Sequence, residues 1–392
     1  MLNFKKNSAV SPNMPRCKIC GKESEEISKT LKVCLECIRK RWDKAFPWVE
    51  NAHAVSRKSF GLPVKPPADG APCGLCVNNC KIKENCVGYC GVRTNKNGKI
   101  KSVVDENAVV ECYYDTLPTN CVSMNFCSNR DLGSPYKNLA VFYAACSFNC
   151  LFCQNWHYRE ILKNWSEFHD ADANSSHFLL HNRNINSNAI KNLKPVMSPG
   201  ELAEKVDEHT RCVCYFGGDP TPQIIHAIKT SEIIIKNNDN VRICWETNGS
   251  MNRNVLEKAA KISMKTGGTI KFDLKAFDEK LNIALCGVTN KQTIANFKFL
   301  EEYNKNAGYH FLTASTLLVP GYIDKKEVEN IAKFISSIDD SIPYCLLGFY
   351  PHFYMDDMPL TSKKQAYECL EIAEKHLKNV RIGNLHLLNE KR

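Results

Sequence analysis

The sequence contains no long hydrophobic run. Its longest apolar stretches extend over about eight residues, whereas a membrane-spanning helix needs about 20. The first ten residues carry lysines but lack the apolar segment of a secretory signal peptide. These absences exclude a helical membrane protein and predict a cytoplasmic location with no membrane partner.

A dominant block of one charge sign is also absent. The 52 basic and 42 acidic residues give a net charge of +10, but the excess is spread along the chain. It therefore favours an acidic partner surface or a nucleic acid only weakly. Nucleic-acid binding is the less favoured interpretation. With 392 residues and 43% hydrophobic content, the chain is long enough for two or three domains.

Cysteine, in contrast, is abundant. The chain has 21 cysteines, many in C-x2-C patterns, and lacks a secretion signal, which indicates metal or cluster ligation in a reducing compartment. The first group pairs Cys17-x2-Cys20 with Cys34-x2-Cys37, two knuckles whose four sulfurs suit tetrahedral zinc or iron. We interpret this ribbon as structural, and the adjacent Arg39–Arg41 as a solvated basic face.

A second cysteine group follows a proline-rich linker, Leu62–Pro72. Four of its five sulfurs can close a mononuclear site for iron or zinc. We select Cys73, Cys76, Cys80 and Cys90, and leave Cys86 without a role. The alternative is a set of buried free thiols.

The third group, Cys146, Cys150 and Cys153, has C-x3-C-x2-C spacing and follows a predicted buried strand, Leu139–Ala145. Three thiolates on one loop can hold a four-iron four-sulfur cluster by three corners and leave the fourth iron open. A ferredoxin site would need a fourth nearby cysteine, and none follows until Cys212. A zinc knuckle or three packed thiols is the alternative.

From Ser198 onward, predicted strands alternate with helices. Counting the strand before the third cysteine group, six strand-helix units indicate an α/β fold with a parallel sheet, which suits a partial (β/α)6 barrel with its site at the strand C-terminal ends. The strands are predicted at 212–216, 241–245, 269–274, 311–319 and 344–349, and the helices near 221–236, 252–266, 291–305 and 325–338.

The third cysteine group, with Phe152 directly before its last cysteine, resembles the signature of the radical S-adenosylmethionine (SAM) superfamily. Gly217-Gly218-Asp219-Pro220 resembles the GGEP motif of that superfamily with Asp in place of Glu. In the activase-like branch, the corresponding positions contact SAM. The resemblance implies that Asp219 accepts from the SAM amine, that Glu246 and Asn248 bind ribose hydroxyls, and that Asp273 and Lys275 serve the SAM carboxylate. Taken singly, each motif also suits a plain turn or strand end.

The upstream cysteines with their C-G-V-R sequence, and the run Tyr113-Tyr114-Asp115, resemble the methanogenesis-marker radical SAM methyltransferases. That resemblance covers the chain from about residue 17 to its end. It implies an iron held by the second cysteine group and a tyrosine phenolate on the open iron of the cluster. Tyr114 is our choice for this ligand, and Tyr113 is the alternative.

The same resemblance implies a cobalamin-dependent enzyme that C-methylates an arginine of the catalytic subunit of methyl-coenzyme M reductase. The cluster, supplied by an electron donor, would reduce SAM to a 5'-deoxyadenosyl radical, and methylcobalamin would deliver the methyl group. The chain lacks the usual D-x-H-x-x-G cobalamin motif, so an atypical C-terminal region is implied. The aromatic loop 349–355 is predicted either to pack on such a cofactor or to close the core.

Four regions are predicted: a metal ribbon at 1–60, a metal loop and linker at 61–137, the barrel at 138–310, and a C-terminal cofactor-binding extension at 311–392. The polar stretch 160–197 is predicted to be a flap or disordered, and its histidines receive no role. A glycyl-radical-enzyme activase or AmmeMemoRadiSam-like enzyme without cobalamin is the main alternative. A ribbon protein that binds nucleic acid is the non-enzymatic alternative, and it predicts strongly salt-dependent binding.

Overall fold

A mostly parallel sheet forms the centre of the protein, which we describe from a computed structural model. The structure describes residues 14–117, 121–127, 129–160, 162 and 196–390. Two small antiparallel hairpins precede the sheet, made of β1 (Ala71–Pro72) with β2 (Lys81–Ile82), and β3 (Arg93–Lys96) with β4 (Lys99–Ser102). The strands of the sheet are β5 (Ala108–Thr116), β6 (Lys137–Tyr143), β7 (Val196–Met197), β8 (Thr210–Phe216), β9 (Arg242–Thr247), β10 (Ile270–Asp273), β11 (Leu312–Leu318), β12 (Tyr344–Gly348) and β13 (Val380–Gly383).

Within the described residues, the nine strands of this sheet lie in the order β13-β12-β11-β10-β9-β8-β6-β5-β7. The strands β6, β8, β9, β10, β11, β12 and β13 pair in parallel with their neighbours. Strand β5 pairs antiparallel with β6 and with β7. The predicted parallel α/β sheet is confirmed, and all six predicted strands are present. A seventh parallel strand, β13, was not predicted, and closure into a partial barrel stays a prediction.

Helices connect the parallel strands, as the crossover geometry of a parallel sheet requires. Near the N-terminus are α1 (Leu35–Lys40) and α2 (Trp42–Lys58). The others are α3 (Pro199–Ala203), α4 (Ile224–Asn237), α5 (Arg253–Thr266), α6 (Glu279–Cys286), α7 (Lys291–Phe299), α8 (Glu301–Ala307), α9 (Lys325–Ser336) and α10 (Lys363–Glu374). Short 3-10 turns lie at Met124–Phe126, Thr221–Gln223, Phe353–Met355 and Leu385–Leu387.

The N-terminal ribbon docks on the sheet domain through polar contacts. The Arg39 guanidinium lies 2.7 Å from Asp324 and 2.9 Å from Glu327, which is fully buried at the start of α9. The hydroxyl of Tyr322 donates to the Val33 carbonyl and accepts from the Ser28 N–H. Arg39, assigned to a solvated face from the sequence, is instead a partly buried anchor of the ribbon.

The carboxyl ends of parallel strands gather at one edge of a sheet, and loops from different parts of the chain therefore meet there. The third cysteine group follows β6, the glycine motif follows β8, and the predicted SAM-binding residues lie at the ends of β9 and β10. The buried strands thus carry the candidate site on a rigid base.

Within the described residues, no helix is both long enough and apolar enough to cross a membrane. The stretch 160–197, predicted as a flap or disordered segment, lies outside the described residues except for 160, 162, 196 and 197. The predicted domain boundaries stay predictions.

Candidate active site

A cavity of about 420 Å³ opens at the carboxyl edge of the sheet. Its walls include the three cysteines of the third group together with every residue predicted from the sequence to contact SAM. These residues are Cys146, Cys150, Cys153, Phe152, Gly217, Gly218, Asp219, Glu246, Asn248, Asp273 and Lys275. Residues that are far apart in the chain therefore meet around one space.

The cysteine loop is anchored from below by α6 and α2. The N–H groups of Asn149 and Leu151 donate to the carbonyls of Cys286 and Leu285, at 2.8 and 3.0 Å. The Asn149 amide donates to His53 Nδ1 at 2.8 Å, while His53 Nε2 donates to carbonyls at the end of α6. Burial lowers the pKa of His53 to about 4, so the imidazole is neutral and this donor pattern is fixed.

The three thiols suit an iron–sulfur cluster. Burial raises the pKa of Cys146 well above its usual range and that of Cys153 to about 11, while a hydrogen bond with Cys286, followed by burial, raises that of Cys150. Without metal these groups are neutral, and iron binding would release their protons. The buried Arg159 guanidinium favours the thiolate form of Cys153, as does Lys275.

The glycine motif requires its two glycines. Gly217 and Gly218 have positive φ values of 67° and 49°. A Cβ atom at Gly218 would lie 2.3 Å from the carbonyl oxygens of Tyr143 and Ala145. This close approach lets the Asp219 N–H donate to the Ala145 carbonyl at 2.7 Å, which ties the motif to the residue before Cys146.

The side chains of Asp219 and Asn248 connect neighbouring loops at the edge of the sheet. The buried Asp219 carboxylate accepts from the N–H of Thr221, the hydroxyl of Thr247 and the N–H of Asn248, at 2.7 to 2.9 Å. The Asn248 amide donates to Ser147 Oγ at 2.9 Å and lies 3.6 Å from Cys146 Sγ. Asp219 thus joins the glycine motif to the end of β9, and Asn248 positions the cysteine loop. The SAM contacts implied for both residues stay predictions.

Alternating charges cross the floor of the cavity. Lys271 Nζ lies 3.0 Å from Glu246 and 2.7 Å from Asp273, whose other oxygen lies 2.8 Å from Lys275 Nζ. Ser315 Oγ donates to Asp273 at 2.7 Å. Burial alone would raise the pKa of Asp273, but the two ammonium groups outweigh it and hold that pKa well below its usual range. The two positive and two negative charges of this network balance. Asp273 holds the Lys275 ammonium group at the wall of the cavity.

We expect Asp273→Asn to lower the free energy of unfolding by about 3–5 kcal/mol, because it leaves two largely buried ammonium groups without their shared partner. The measurement is urea-induced unfolding at pH 7. Asp273 has a lowered pKa in the folded state, so its contribution is present above its unfolded pKa of about 3.9 and is lost as pH falls through the folded value. The raised pKa values of Lys271 and Lys275 keep their contributions intact up to about pH 10. The difference between wild type and variant should therefore be constant from about pH 5 to 9 and shrink in acid.

Asp340→Asn is the matched control, because Asp340 pairs with Lys378 at 2.9 Å on the surface. An exposed pair of this kind contributes about 1 kcal/mol or less. Equal losses in the two variants would contradict the argument that burial of the Asp273 network matters.

Residues 140–335, half of the chain, match the family model described as the radical SAM superfamily. The chain belongs to the radical SAM superfamily. Membership implies a four-iron four-sulfur cluster and SAM, and the three thiols around one cavity fit such a cluster.

Two curated relatives come from Methanocaldococcus jannaschii. One, named as a candidate glycyl-radical enzyme activating enzyme, is 27% identical over 164 residues, which is 42% of this chain and 60% of the relative. The other, an uncharacterised protein, is 22% identical over 244 residues, 60% of this chain and 62% of the relative. The similarity thus spans less than two thirds of each relative.

Solved structures give matches of low similarity. A domain of the pyruvate-formate lyase-activating enzyme of Bacteroides vulgatus aligns with a TM-score of 0.37 and 19% identity, over 44% of this chain and 98% of that domain. SuiB of Streptococcus suis, in its structure with S-adenosylmethionine, aligns with a TM-score of 0.41 and 16% identity, over 62% of this chain and 49% of SuiB.

The N-terminal ribbon of this radical SAM protein forms a metal-type site. The Sγ atoms of its four cysteines all lie within 4.8 Å of one another. Cys17 to Cys37 and Cys20 to Cys34 are each 3.7 Å apart, close to the edge of about 3.8 Å expected for a tetrahedron with Zn–S bonds of about 2.3 Å. Burial would raise the pKa of Cys17, but N–H groups led by that of Cys20 lower it to about 6. The predicted grouping of the four cysteines is confirmed, and the metal, zinc or iron, stays a prediction.

The second cysteine group lies beside the active site. Its loop binds the β9 end through Val77 N–H to the Ser250 carbonyl at 2.9 Å, and the Asn78 amide donates to the Ser147 carbonyl at 2.7 Å. Burial, and then the neighbouring thiols, raise the pKa of Cys76. The sulfurs do not reach the mutual 4.8 Å spacing seen in the ribbon, and among the described residues only the ribbon has it. The mononuclear site therefore stays a prediction.

The two adjacent tyrosines point to opposite faces of β5, because side chains alternate along a strand. Tyr114 donates its hydroxyl to the Lys205 carbonyl, and Lys137 lies 3.8 Å over its ring. It does not line the cavity of the cluster cysteines. Tyr113 faces an adjoining cavity beside Phe216. Neither tyrosine lines the cavity of the cluster cysteines, so the choice between Tyr114 and Tyr113, like the phenolate ligand itself, stays a prediction.

The aromatic loop 349–355 packs on the cysteine loop. The Tyr354 N–H donates to the Leu151 carbonyl at 2.9 Å, and the Phe353 ring stacks on Trp156 at 5.7 Å and lies 5.8 Å from Phe60. The loop thus packs on the cysteine loop while Tyr350 stays exposed, and the choice between closing the core and contacting a cofactor stays a prediction. Cobalamin binding by the C-terminal region stays a prediction.

Three cavity or loop residues were not predicted. Lys271 sits inside β10, and Arg381 of β13 lines the cavity and donates to the Val122 carbonyl at 2.8 Å. Arg159 is buried, donates to Asn149 and lies 4.9 Å from the Phe353 ring. A cation within an otherwise buried strand was a usable signal for Lys271, whereas Arg159 follows the cysteine motif without any pattern.

Proposed function

We propose that this radical SAM enzyme abstracts hydrogen from an arginine side chain of the methyl-coenzyme M reductase catalytic subunit and transfers a methyl group to that carbon. The observation that supports the radical step is the single cavity that joins Cys146, Cys150 and Cys153 to the glycine motif and the charged floor. Arginine methylation and cobalamin rest on the resemblance of the cysteine and tyrosine motifs.

The cluster, when bound, would supply an electron that cleaves SAM to methionine and a 5'-deoxyadenosyl radical, and an external electron donor must replenish it. The chain's own residues hold the cysteine loop and orient the bound SAM. Asn248 fixes the Cys146 end of the loop through Ser147. Lys275, held by Asp273, presents an ammonium group to the cavity, suited to the SAM carboxylate.

The position of the second cysteine group favours the methyltransferase assignment. A metal held by Cys73, Cys76, Cys80 and Cys90 would order the loop whose Asn78 binds Ser147 within the cluster motif. This matches the implied role of that metal in the methanogenesis-marker enzymes. Cobalamin would supply the methyl group in this proposal, as the resemblance implies.

A second candidate is a glycyl-radical-enzyme activase-like reaction. It is favoured by the 27% identity to the relative named as an activating enzyme of that class. It shares the cluster, SAM cleavage and hydrogen abstraction, but needs no cobalamin and leaves its radical on a glycine.

The test is an anaerobic assay with reconstituted protein, SAM, a chemical reductant and a peptide carrying the reductase arginine, with and without cobalamin. We expect 5'-deoxyadenosine, and a mass increase of one methyl group on arginine carbon only when cobalamin is present. A peptide with lysine in place of that arginine is the matched control.

Formation of 5'-deoxyadenosine without methylation, unchanged by cobalamin, would reject the methyltransferase. A glycine-centred radical by electron paramagnetic resonance (EPR) on a partner enzyme would then support the activase-like candidate. Absence of 5'-deoxyadenosine from correctly reconstituted protein would reject both.

A further inference from the structure

A second cavity, of about 300 Å³, adjoins the active site and is rich in thiols. Five cysteines that have no role so far line it: Cys121, Cys127, Cys212, Cys214 and Cys244. Cys121, Phe216 and Glu246 line both cavities, so the thiol cavity and the proposed SAM site share a wall. Five thiols around one small space call for a chemical explanation.

The sheet fixes three of these thiols. Cys212 and Cys214 stand two residues apart on β8 and therefore point to the same face of the sheet. Cys244 lies on the neighbouring strand β9, directly beside Cys214. Thr269 N–H donates to Cys244 Sγ at 3.4 Å. The sheet thus presents a triangle of sulfurs to the cavity.

The segment 121–127 supplies the other two thiols and is tied down on both sides. Arg381 donates to the Val122 carbonyl at 2.8 Å, and Ser123 Oγ lies 3.0 Å from Thr313 Oγ1. Just beyond the segment, the Asn129 amide donates to the Arg211 carbonyl at 3.1 Å. Cys121 and Cys127 are therefore held against the sheet.

The spacing of the thiols distinguishes the kinds of metal site. The ribbon has the mutual 4.8 Å spacing of a single-ion site, and no other set of three ligands in the described part of the chain has it. In the thiol cavity only Cys212 and Cys244 approach each other closely, at 3.7 Å. In a cubane cluster each thiolate binds a different iron, so the cysteine sulfurs stand further apart than they do around a single ion. The sulfurs of the radical SAM loop likewise do not all lie within 4.8 Å of one another.

Cations also face these thiols. Arg242 interacts electrostatically with Cys127 and Cys244, and Lys271 interacts with Cys214. Glu246 faces Cys121 and Cys214, and its carboxylate is paired with Lys271 at 3.0 Å. The surroundings can therefore accept the negative charge of a thiolate-bound cluster.

We infer that this cavity binds a second iron–sulfur cluster of the four-iron four-sulfur class. Cys121, Cys127 and Cys214 supply three ligands, and either Cys212 or Cys244 supplies the fourth. The inference is independent of methyl transfer and of the substrate. Because the cavities share a wall, the second cluster lies next to the SAM site.

The test uses the full chain without its radical SAM cluster, as the triple variant Cys146→Ala, Cys150→Ala, Cys153→Ala, reconstituted anaerobically with ferrous iron and sulfide. We expect about four acid-labile sulfides per chain to remain, with Mössbauer parameters of a four-iron cluster. Sulfide is the readout because a single metal ion at the ribbon or the second cysteine group carries none. Adding Cys214→Ala and Cys244→Ala should remove the sulfide, whereas adding Cys112→Ala and Cys369→Ala, which line neither cavity, should leave it.

A triple variant that is folded by circular dichroism but binds no sulfide would overturn the inference. Loss of the sulfide on adding Cys76→Ala and Cys90→Ala, with no loss from the cavity changes, would also overturn it, since the second cluster would then belong to the upstream loop. If the double cavity variant fails to fold, the triple variant that also carries Cys76→Ala and Cys90→Ala decides: about four acid-labile sulfides per chain support the inference and none refutes it.

Discussion

Reconstituted Cys150→Ala protein is expected to form no 5'-deoxyadenosine above the level without enzyme, a loss of more than about 100-fold. Cys150 lines the active-site cavity and sits on a loop fixed by α6 and α2. Removing one of three ligands leaves a cubane with two protein bonds, which cannot be held in place to reduce SAM. The measurement is 5'-deoxyadenosine by liquid chromatography after incubation with SAM and a reductant.

Cys286→Ala separates ligation from packing. Its thiol forms a hydrogen bond with Cys150 and is fully buried, yet Cys286 lies outside the C-x3-C-x2-C motif. We expect it to keep the cluster absorbance and most of the 5'-deoxyadenosine, and to lower stability only. If Cys286→Ala abolished the cluster while Cys150→Ala retained it, the assignment of ligands from the motif would be wrong.

The spacing of the cysteines and the strand-helix rhythm predicted much of this architecture, because both are local. All six predicted strands lie within a few residues of their observed bounds. β13 was missed because it is only four residues long and carries an arginine, Arg381, in its centre. The strand character of β5 was missed because its tyrosines and cysteine suggested a ligand run.

The candidate site was predictable as a set of strand ends but not as a network. The sequence placed Asp219, Asn248 and Asp273 at neighbouring loops, and one cavity unites them. It could not show that Asp219 already accepts three hydrogen bonds, or that Lys271 lies between Glu246 and Asp273. Such partners depend on strand register, which is set by contacts between distant residues.

The cavity thiols illustrate the same limit. Cys121, Cys127 and Cys244 are separated along the chain and fit no metal-binding spacing. Only the pairing of β8 with β9, and the return of the segment 121–127 across the sheet, bring them to one space. Sequence spacing detects ligands on one loop, whereas ligands contributed by adjacent strands require the fold.

Loss of the ribbon metal is expected to destabilise the protein strongly. Cys20→Ser should lower the Tm by roughly 10 °C, because structural zinc contributes several kcal/mol or more to folding. Cys20 is the exposed member of the four cysteines, so the loss of its thiol alone costs little packing. A large effect from an exposed position therefore reports a lost metal ligand. The measurement is thermal unfolding followed by circular dichroism, together with zinc and iron content per chain.

The docking of the ribbon determines how far that effect should spread. Arg39 joins α1 to Asp324 and to the buried Glu327, whose other oxygen accepts from the N–H of Asp278 at 2.7 Å. Release of the ribbon would expose Glu327 and loosen the start of α9. The matched control is Cys369→Ser, a buried thiol on α10 outside every cysteine group, which should keep the metal content. If Cys20→Ser lost its metal but kept its Tm, the ribbon would be held by packing alone, and a chelator would then leave the wild-type protein equally stable.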